Sequence, residues 1–378
     1  MFESRKIFVV VIAFVLLPLH LILSGCGGAD PSTVTQAQAP PPEEPKLVLL
    51  IWEDYIEPEI LTLFKEETGI EVEVIGFGSM NELEAILQED REGYDLAIVD
   101  DSNLTSYFDV RLIQKFDHAQ LKNLGNLDSK VCNRPADPKL DVSVPYFYGM
   151  TVIGYNKRLI PEPPDSWADL WDPKYAGKVG LMDDFWDYLA LGHFKTQGTY
   201  DIGAPDTWEA SVKAFEELTP LFSNIGEFND IAAQIGRGEL LIGNCYNGDA
   251  LYLAEQYPDL ACVLPKEGAM IWVDSLVLCR KSKHPRNAHR FVDFLLRPEI
   301  CALNANSMSF PPVVSEALPL MDKELLANPN IFPPGGEAHF ARYPLSTPEL
   351  REVLHTVKVA ANKRHEEIKK SGRWTATP

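Results

Sequence analysis

Trp272 and Asp274 stand two residues apart in Glu267-Gly-Ala-Met-Ile-Trp-Val-Asp-Ser-Leu276, an otherwise apolar run. On a strand that spacing turns both side chains to one face. A buried face keeps a carboxylate only where it meets something cationic or polar. The pair therefore fits a cation site, with the acid as grip and the indole as wall. It equally fits a Trp packed in a core beside an Asp that caps the next turn, and this stretch alone leaves both readings open. Acids recur at the ends of other apolar runs. Trp52-Glu53-Asp54-Tyr55 follows Leu47–Ile51, and Asp100-Asp101-Ser102 follows Tyr94–Val99. Asp183-Asp184, with Asp187 shortly after, follows Val179–Met182, and Asn244-Cys-Tyr246 follows Leu240–Gly243.

The elements that must position these residues alternate. Leu47–Ile51 is a continuous apolar run, as in a strand covered on both faces. Glu57–Thr68 carries apolar residues at 60, 61, 63 and 64, Pro58 in its first turn and Gly69 past its end, which predicts a helix. Ile70–Ile75 reads as a strand, Asn81–Asp90 as a helix and Tyr94–Val99 as a strand. The alternation predicts an α/β domain with a mainly parallel sheet. Ligands of such sheets bind beyond the carboxyl ends of the strands, where the acids lie. Asp100-Asp101 have a second reading, as N-capping residues of a helix over Leu104–Leu112. Pro145–Tyr155 reads as a strand leaving the first domain, and Trp167 and Trp171, at helical spacing, read as core. Pro285–Leu296 reads as an amphipathic helix.

A chain of 378 residues suggests two domains, and its formal net charge of −21 argues against nucleic acid or an anionic membrane surface. The same charge suits a cationic ligand. Six cysteines occur, at 26, 132, 245, 262, 279 and 301, with no C-x-x-C spacing. His365-Glu-Glu is not H-E-x-x-H, and Gly76-Phe-Gly-Ser-Met80 is neither a nucleophile elbow nor a dinucleotide loop. No catalytic residue, metal site or cofactor is expected.

Arg5-Lys6 precede an apolar run from Ile7 to Leu23, interrupted only by Pro18 and His20 and ending in Leu23-Ser-Gly-Cys26. This ending resembles the lipobox of bacterial lipoproteins. It implies a signal peptide over 1–25, acylation of Cys26 and a body anchored outside the cytoplasmic membrane, in the periplasm or at the cell surface. The alternative is an uncleaved transmembrane anchor. Residues 26–46 are proline-rich and read as an extended tether.

Several stretches, in order along the body, carry a wider resemblance. They are Trp52-Glu-Asp-Tyr55, Lys65-Glu-Glu-Thr-Gly-Ile70, Ser166-Trp-Ala-Asp-Leu-Trp171, Lys178-Val-Gly-Leu-Met-Asp-Asp184, Lys266-Glu-Gly268 with Trp272-Val-Asp-Ser-Leu276, and Phe294-Leu-Leu-Arg-Pro298. Together they resemble the bacterial periplasmic spermidine/putrescine-binding proteins, the capture component of polyamine ABC importers. The resemblance implies the two-lobe, type II solute-binding fold, with crossovers near Tyr148–Ile153 and Trp272–Leu276 and ligand in the cleft between lobes. Lobe 1 would comprise 47–148 plus 273–318, and lobe 2 149–272 plus 319–378. Carried over by position, ligand contacts fall on Trp52, Tyr55, Asp184, Asp187, Tyr246, Trp272, Asp274 and Phe310. The expected species is a monomer that binds a polyamine, needs no cofactor and docks on permease subunits.

Two positions depart from the family pattern. Glu53 stands where a hydroxyl residue is common, and Asp101 replaces a Ser. Both are candidate ligand contacts, and the added charge predicts a preference for spermidine or spermine over putrescine. Other readings are a polyamine sensor without transport, and a binder of another cationic solute or a metal ion. Ferric-ion binders of similar architecture use paired tyrosines, and no Tyr-Tyr pair occurs. An enzyme on this scaffold would need a nucleophile with its base, and none is visible.

Overall fold

The run Leu47–Ile51 lacks alternation because both its faces are covered: it is the buried middle of β1 (Lys46–Trp52). β1 pairs in parallel with β2 (Glu71–Phe77) and β3 (Leu96–Asp100). A helix, Pro58–Thr68, links β1 to β2. The Glu57 side chain caps it by accepting the Glu59 N–H at 3.2 Å, Pro58 occupies the first turn where no N–H is needed, and Ile60 and Phe64 are buried. The structure, a computed structural model, describes residues 43–78, 80–89, 93–198, 202–334, 341–344 and 347–371. The expected signal peptide, Cys26 and most of the tether lie outside the described residues.

From Glu43 onward the chain forms one unit. β4 (Ile113–Gln114) is a short edge piece, and β5 (Ser143–Asn156) is 14 residues long. β6 (Val179–Met182), β7 (Phe222–Gly226), β8 (Ile242–Tyr246) and β9 (Leu260–Val263) follow. β10 (Met270–Cys279) is buried along its whole length, and β11 (Ala341–Arg342) is a late addition to it. The sheet order is β2-β1-β3-β10-β5-β8-β6-β7, with β4 and β11 on β10 and β9 on β5.

The expected mainly parallel sheet holds only toward the outside. β1, β2 and β3 are parallel, as are β6, β7 and β8, but β10 runs antiparallel to both β3 and β5, and β5 antiparallel to β8. The outer strands are joined through helices, the crossover connection that parallel pairing requires. β5 and β10 instead carry the chain across the sheet, so their direction follows the crossing.

Each half of the sheet has its own core. Leu47, Leu49, Phe64, Phe147 and Phe291 pack in the first, and Trp167, Leu181, Tyr188, Phe215 and Phe222 in the second. β5 gives Val144 and Phe147 to the first core and Ile153 and Tyr155 to the second. Between them Met150 and Val152 pack with Ile271 and Val273 of β10. Each fully buried side chain of this size contributes about 1.5–3 kcal/mol, so both halves are anchored independently on either side of this seam. Met321, Leu325 and Leu326 pack on the first core. Asn330 instead accepts from Asn247 and donates to the Cys262 carbonyl, in the second half. The helix Pro348–Lys370 then lays Leu350, Leu354, Val357 and Ala361 on the second core.

Trp167 is core, as its spacing suggests. Trp171 is half-buried and donates its indole N–H to the Ala214 carbonyl at 2.9 Å. Cys132, Cys245, Cys262, Cys279 and Cys301 are free thiols.

Candidate functional site

Register brings the strand-end acids together. On β10 Asp274 stands opposite Asp100 of β3 and Phe147 of β5, and a register shift after Asp274 re-aims the strand. Asp274 is 7% exposed, and its Oδ2 accepts the Tyr55 hydroxyl at 3.0 Å. Tyr55 is itself fixed, because the Tyr146 hydroxyl donates to its carbonyl at 2.7 Å and Asn304 donates to Tyr146 at 2.8 Å.

In the second half the acids begin a helix. The Asp184 carboxylate caps the helix Phe185–Gln197, accepting the Trp186 N–H at 2.8 Å. Asp187, in the first turn, is 1% exposed. Its carboxylate accepts the Thr151 hydroxyl at 3.1 Å and the Asn244 amide at 2.9 Å. The strand–helix junction after β8 repeats the pattern: β8 ends at Tyr246, and Asp249 lies in the first turn of the helix Asn247–Gln256.

Aromatic rings frame these acids. Trp272 meets Tyr246 at 5.4 Å and Phe310 at 5.1 Å between ring centroids, both edge to face. Phe310 also meets Tyr55 at 5.9 Å. Tyr343 packs on Trp186 at 5.1 Å. Two glycines make room: a Cβ at Gly149 would overlap the Trp272 ring, and one at Gly248 the Phe310 ring. The Trp272 indole N–H is buried without a protein partner.

The acids strain against one another. Burial pushes the Asp274 carboxyl up to about 8, and Asp100, Asp101 and Asp249 add repulsion that the Tyr55 hydrogen bond only partly offsets. Burial alone lifts Asp249 to about 7. Asp184 rises to about 6 through burial, with Asp100 and Asp183 adding to it. Asp187 is held well above the usual carboxylate range by burial and by Asp184. Tyr246 and Tyr343 are pushed up by burial and then by Asp184 and Asp187. Such a group is short of positive charge, and a polycation threaded among the aromatic rings would supply it. Among the described residues no three His, Cys, Asp or Glu are grouped to hold a metal ion.

Tyr55, Asp101, Asp184, Asp187, Tyr246, Trp272, Asp274 and Phe310 are all brought to this region. Trp52 lies at its edge, half-buried against Phe77 at 4.6 Å. Glu53 does not join. It is exposed in the turn just past β1, with its methylenes lying over Gly76. Asp101 is present but engaged: it forms an ion pair with the buried Arg134. The helix expected over Leu104–Leu112 runs over Asp101–Asp109, and its cap is Asp100, which accepts the Ser102 N–H at 2.8 Å. The two extra acids behind the expected preference for longer polyamines are thus one that faces solvent and one that is already paired.

Sequence reasoning missed Asp249, Tyr343 and Arg134. Asp249 follows Tyr246 as Asp187 follows Asp184, three residues on, and that repetition was a usable signal. Arg134 sits in a loop 33 residues from Asp101, and no local pattern marks it.

Residues 59–333 match the model of the bacterial extracellular solute-binding protein family, and the chain belongs to that family. It is a family of solute-binding proteins rather than enzymes. The chain is 33% identical over 286 residues to the spermidine/putrescine-binding periplasmic protein of Salmonella typhimurium, covering 75% of this chain and 81% of that one. It is 28% identical over 340 residues to the putrescine-binding periplasmic protein PotF of Escherichia coli, covering 84% and 87%. Among solved structures, the spermidine/putrescine ABC transporter substrate-binding protein PotD of Streptococcus pneumoniae superposes with a TM-score of 0.76 at 27% identity, over 85% of this chain and 99% of that one. The fold is that of the type II periplasmic solute-binding proteins.

Proposed function

We propose that this protein captures a polyamine outside the cytoplasmic membrane and delivers it to an ABC importer. The observation that carries this reading is the group of buried acids, Asp184, Asp187, Asp249 and Asp274, set among Tyr55, Tyr246, Trp272 and Phe310. A polyamine is a row of ammonium groups joined by methylenes. Each charge-assisted hydrogen bond to a carboxylate nets about 1.5–3 kcal/mol, and a desolvated cation over an aromatic face about 1–2 more. Two or three such contacts, less the ordering of a flexible ligand, reach micromolar binding, about 8 kcal/mol. Asp274 and Asp187 grip ammonium groups, while Trp272, Tyr246 and Phe310 wall the methylenes between them.

The two halves of the sheet act as lobes that close on the ligand. They turn about the segments where β5 and β10 pass from one core to the other, and the last exchange of the chain falls between Leu326 and Asn330. The names of the relatives support spermidine and putrescine as the ligand class. A thermal-shift panel of putrescine, spermidine, spermine, amino acids and ferric ion tests the reading. An amine at a hundred times its dissociation constant should stabilise the protein by about 2.7 kcal/mol. Stabilisation by an amino acid or by ferric ion, with none by the amines, would overturn it.

The body works as a monomer on a lipid anchor at Cys26. Cys26→Ser should abolish lipidation and processing after residue 25 while leaving ligand affinity unchanged. Membrane association that survives in that variant, with an unprocessed amino terminus, would indicate a transmembrane anchor instead.

A further inference from the structure

Arg134 is fully buried and lies within the acid-rich region. One of its terminal nitrogens, Nη1, donates to Asp101 and, at 2.7 Å, to the Ser275 hydroxyl, while Nη2 donates to the Ser143 hydroxyl at 2.7 Å. Its Nε has no protein partner. Ser143 donates its own proton to Asp137 at 2.8 Å, so its lone pairs are what face Arg134. Ser275 follows Asp274 directly on β10, and Ser143 begins β5. The guanidinium thus ties together the two crossing strands and the first turn of the helix Asp101–Asp109, one residue along β10 from Asp274.

A guanidinium keeps its proton in a protein interior. Arg134 is therefore a permanent positive charge, and an unpaired buried charge is very costly. Asp101 is the carboxylate that compensates it. The reverse also holds: the Asp101 oxygen that meets Arg134 is taken and its charge is balanced there, so an ammonium gains less from this acid than from one without a cationic partner. Burial raises the Asp101 carboxyl to about 6 against the pull of Arg134, and Asp100 and Arg342 act on it with opposite signs, so its surroundings are already mixed in sign. Asp249 and Asp187 have no such cation among the influences that shift them.

We propose that Arg134 is a built-in counter-cation that withdraws Asp101 from the ligand, and that this pair sets how many ammonium groups the cleft favours. The inference rests on the polyamine reading above. Asp101 and Arg134 are positioning residues here: neither touches the ligand, and both act through the field at Asp274. With the pair intact, that end of the cleft is electrically closed and the acids from Asp274 to Asp187 define its reach. Without Arg134, Asp101 becomes a further anionic subsite, and a longer, more highly charged amine gains most.

Calorimetric titration of putrescine, spermidine and spermine into wild type, Asp101→Asn, Arg134→Met and the double variant tests this. Asp101→Asn leaves Arg134 uncompensated, and affinity should fall by about three- to tenfold per ammonium group, so most for the tetraamine. The double variant restores neutrality and should return all three amines to within about threefold of wild type. Arg134→Met should raise spermine affinity relative to putrescine. Should that variant fail to fold, Asp101→Asn and the double variant still decide. An Asp101→Asn loss equal for all three amines and unrepaired in the double variant would mean that Asp101 contacts the ligand directly, and would overturn the proposal. No loss at all would overturn it too. A wild-type protein that binds none of the amines would overturn the functional reading and the selectivity claim with it. The pair itself is read separately from the thermal unfolding of the same four ligand-free proteins, where Asp101→Asn should lower the midpoint and the double variant recover it.

Discussion

Around Asp274 and Asp101, in the first half of the sheet, the neighbouring groups are a phenol and an ionised guanidinium. Around Asp184 and Asp187, in the second half, they are helix N–H groups, a threonine hydroxyl and an asparagine amide. Neutral donors orient a carboxylate without cancelling its charge, whereas a guanidinium cancels it. The second half therefore presents acids whose demand for a cation is undiminished, and the first half presents one such acid, Asp274, beside another already satisfied. A cleft assembled this way has a fixed end and an open end. Counting acids is therefore a poor guide to ligand charge unless each acid's partner is known.

The sharpest way to break this comparison is Asp274→Asn, which keeps the shape of the side chain and removes its charge. Affinity for polyamine should fall by about 2–4 kcal/mol, a factor of roughly thirty to a thousand. Stability without ligand should hold or rise, because a buried acid repelled by Asp100, Asp101 and Asp249 is removed. Calorimetry and an unfolding midpoint on the same variant check both halves of the statement. Normal polyamine binding by this protein would falsify the site as described.

Asp187→Asn should cost somewhat less affinity, about 1.5–3 kcal/mol. Unlike the first variant it should also lower ligand-free stability, by about 1 kcal/mol, since the amide keeps a single acceptor oxygen for the Asn244 and Thr151 donors that two carboxylate oxygens now serve. Equal stability changes in the two variants would erase the distinction between the halves.

The pH dependence follows from the raised carboxyls. An unfolded Asp loses its proton near pH 4, whereas Asp274 keeps it to about 8 and Asp249 to about 7. Between those values the folded protein holds protons that the unfolded chain has lost, so ligand-free stability should fall as pH rises from about 4 toward 8. Ammonium binding expels the same protons, so affinity should rise over pH 6 to 8 by about one order of magnitude. Calorimetry in buffers of different ionisation enthalpy measures the protons released. Proton uptake on binding would contradict this assignment, and Asp274→Asn should remove much of the dependence. The smallest effect expected is that of Glu53→Gln, within about 0.5 kcal/mol in both affinity and stability. A larger loss of affinity would bring Glu53 back into the site.

Much of the fold was legible because it is written locally. The buried run of β1, the proline and cap of the helix Pro58–Thr68, and the spacing of Trp272 and Asp274 are all short-range signals; β1 and that helix formed within a residue of their expected spans, and Trp272 and Asp274 share one strand. The acids at strand ends were visible for the same reason. Harder to read was Glu53, whose neighbour Trp52 belongs to the site's edge while it faces the other way. The left-handed turn at Asp54 (φ 54°) comes directly after it and carries it off the strand.

By itself, then, the sequence determined several of the strands and helices, that acids and aromatics gather at the strand ends, and that the chain resembles a polyamine-binding family. All of these rest on periodicity, capping and motif order, which act over a few residues at a time. Only the tertiary structure decided that β5 and β10 run antiparallel through the middle of the sheet, that Asp249 and Tyr343 join the acids, and that Asp101 is bound to Arg134. Those outcomes depend on which distant segments pack against one another. Burial, not sequence neighbours, then decides whether a carboxylate stands alone or meets a cation.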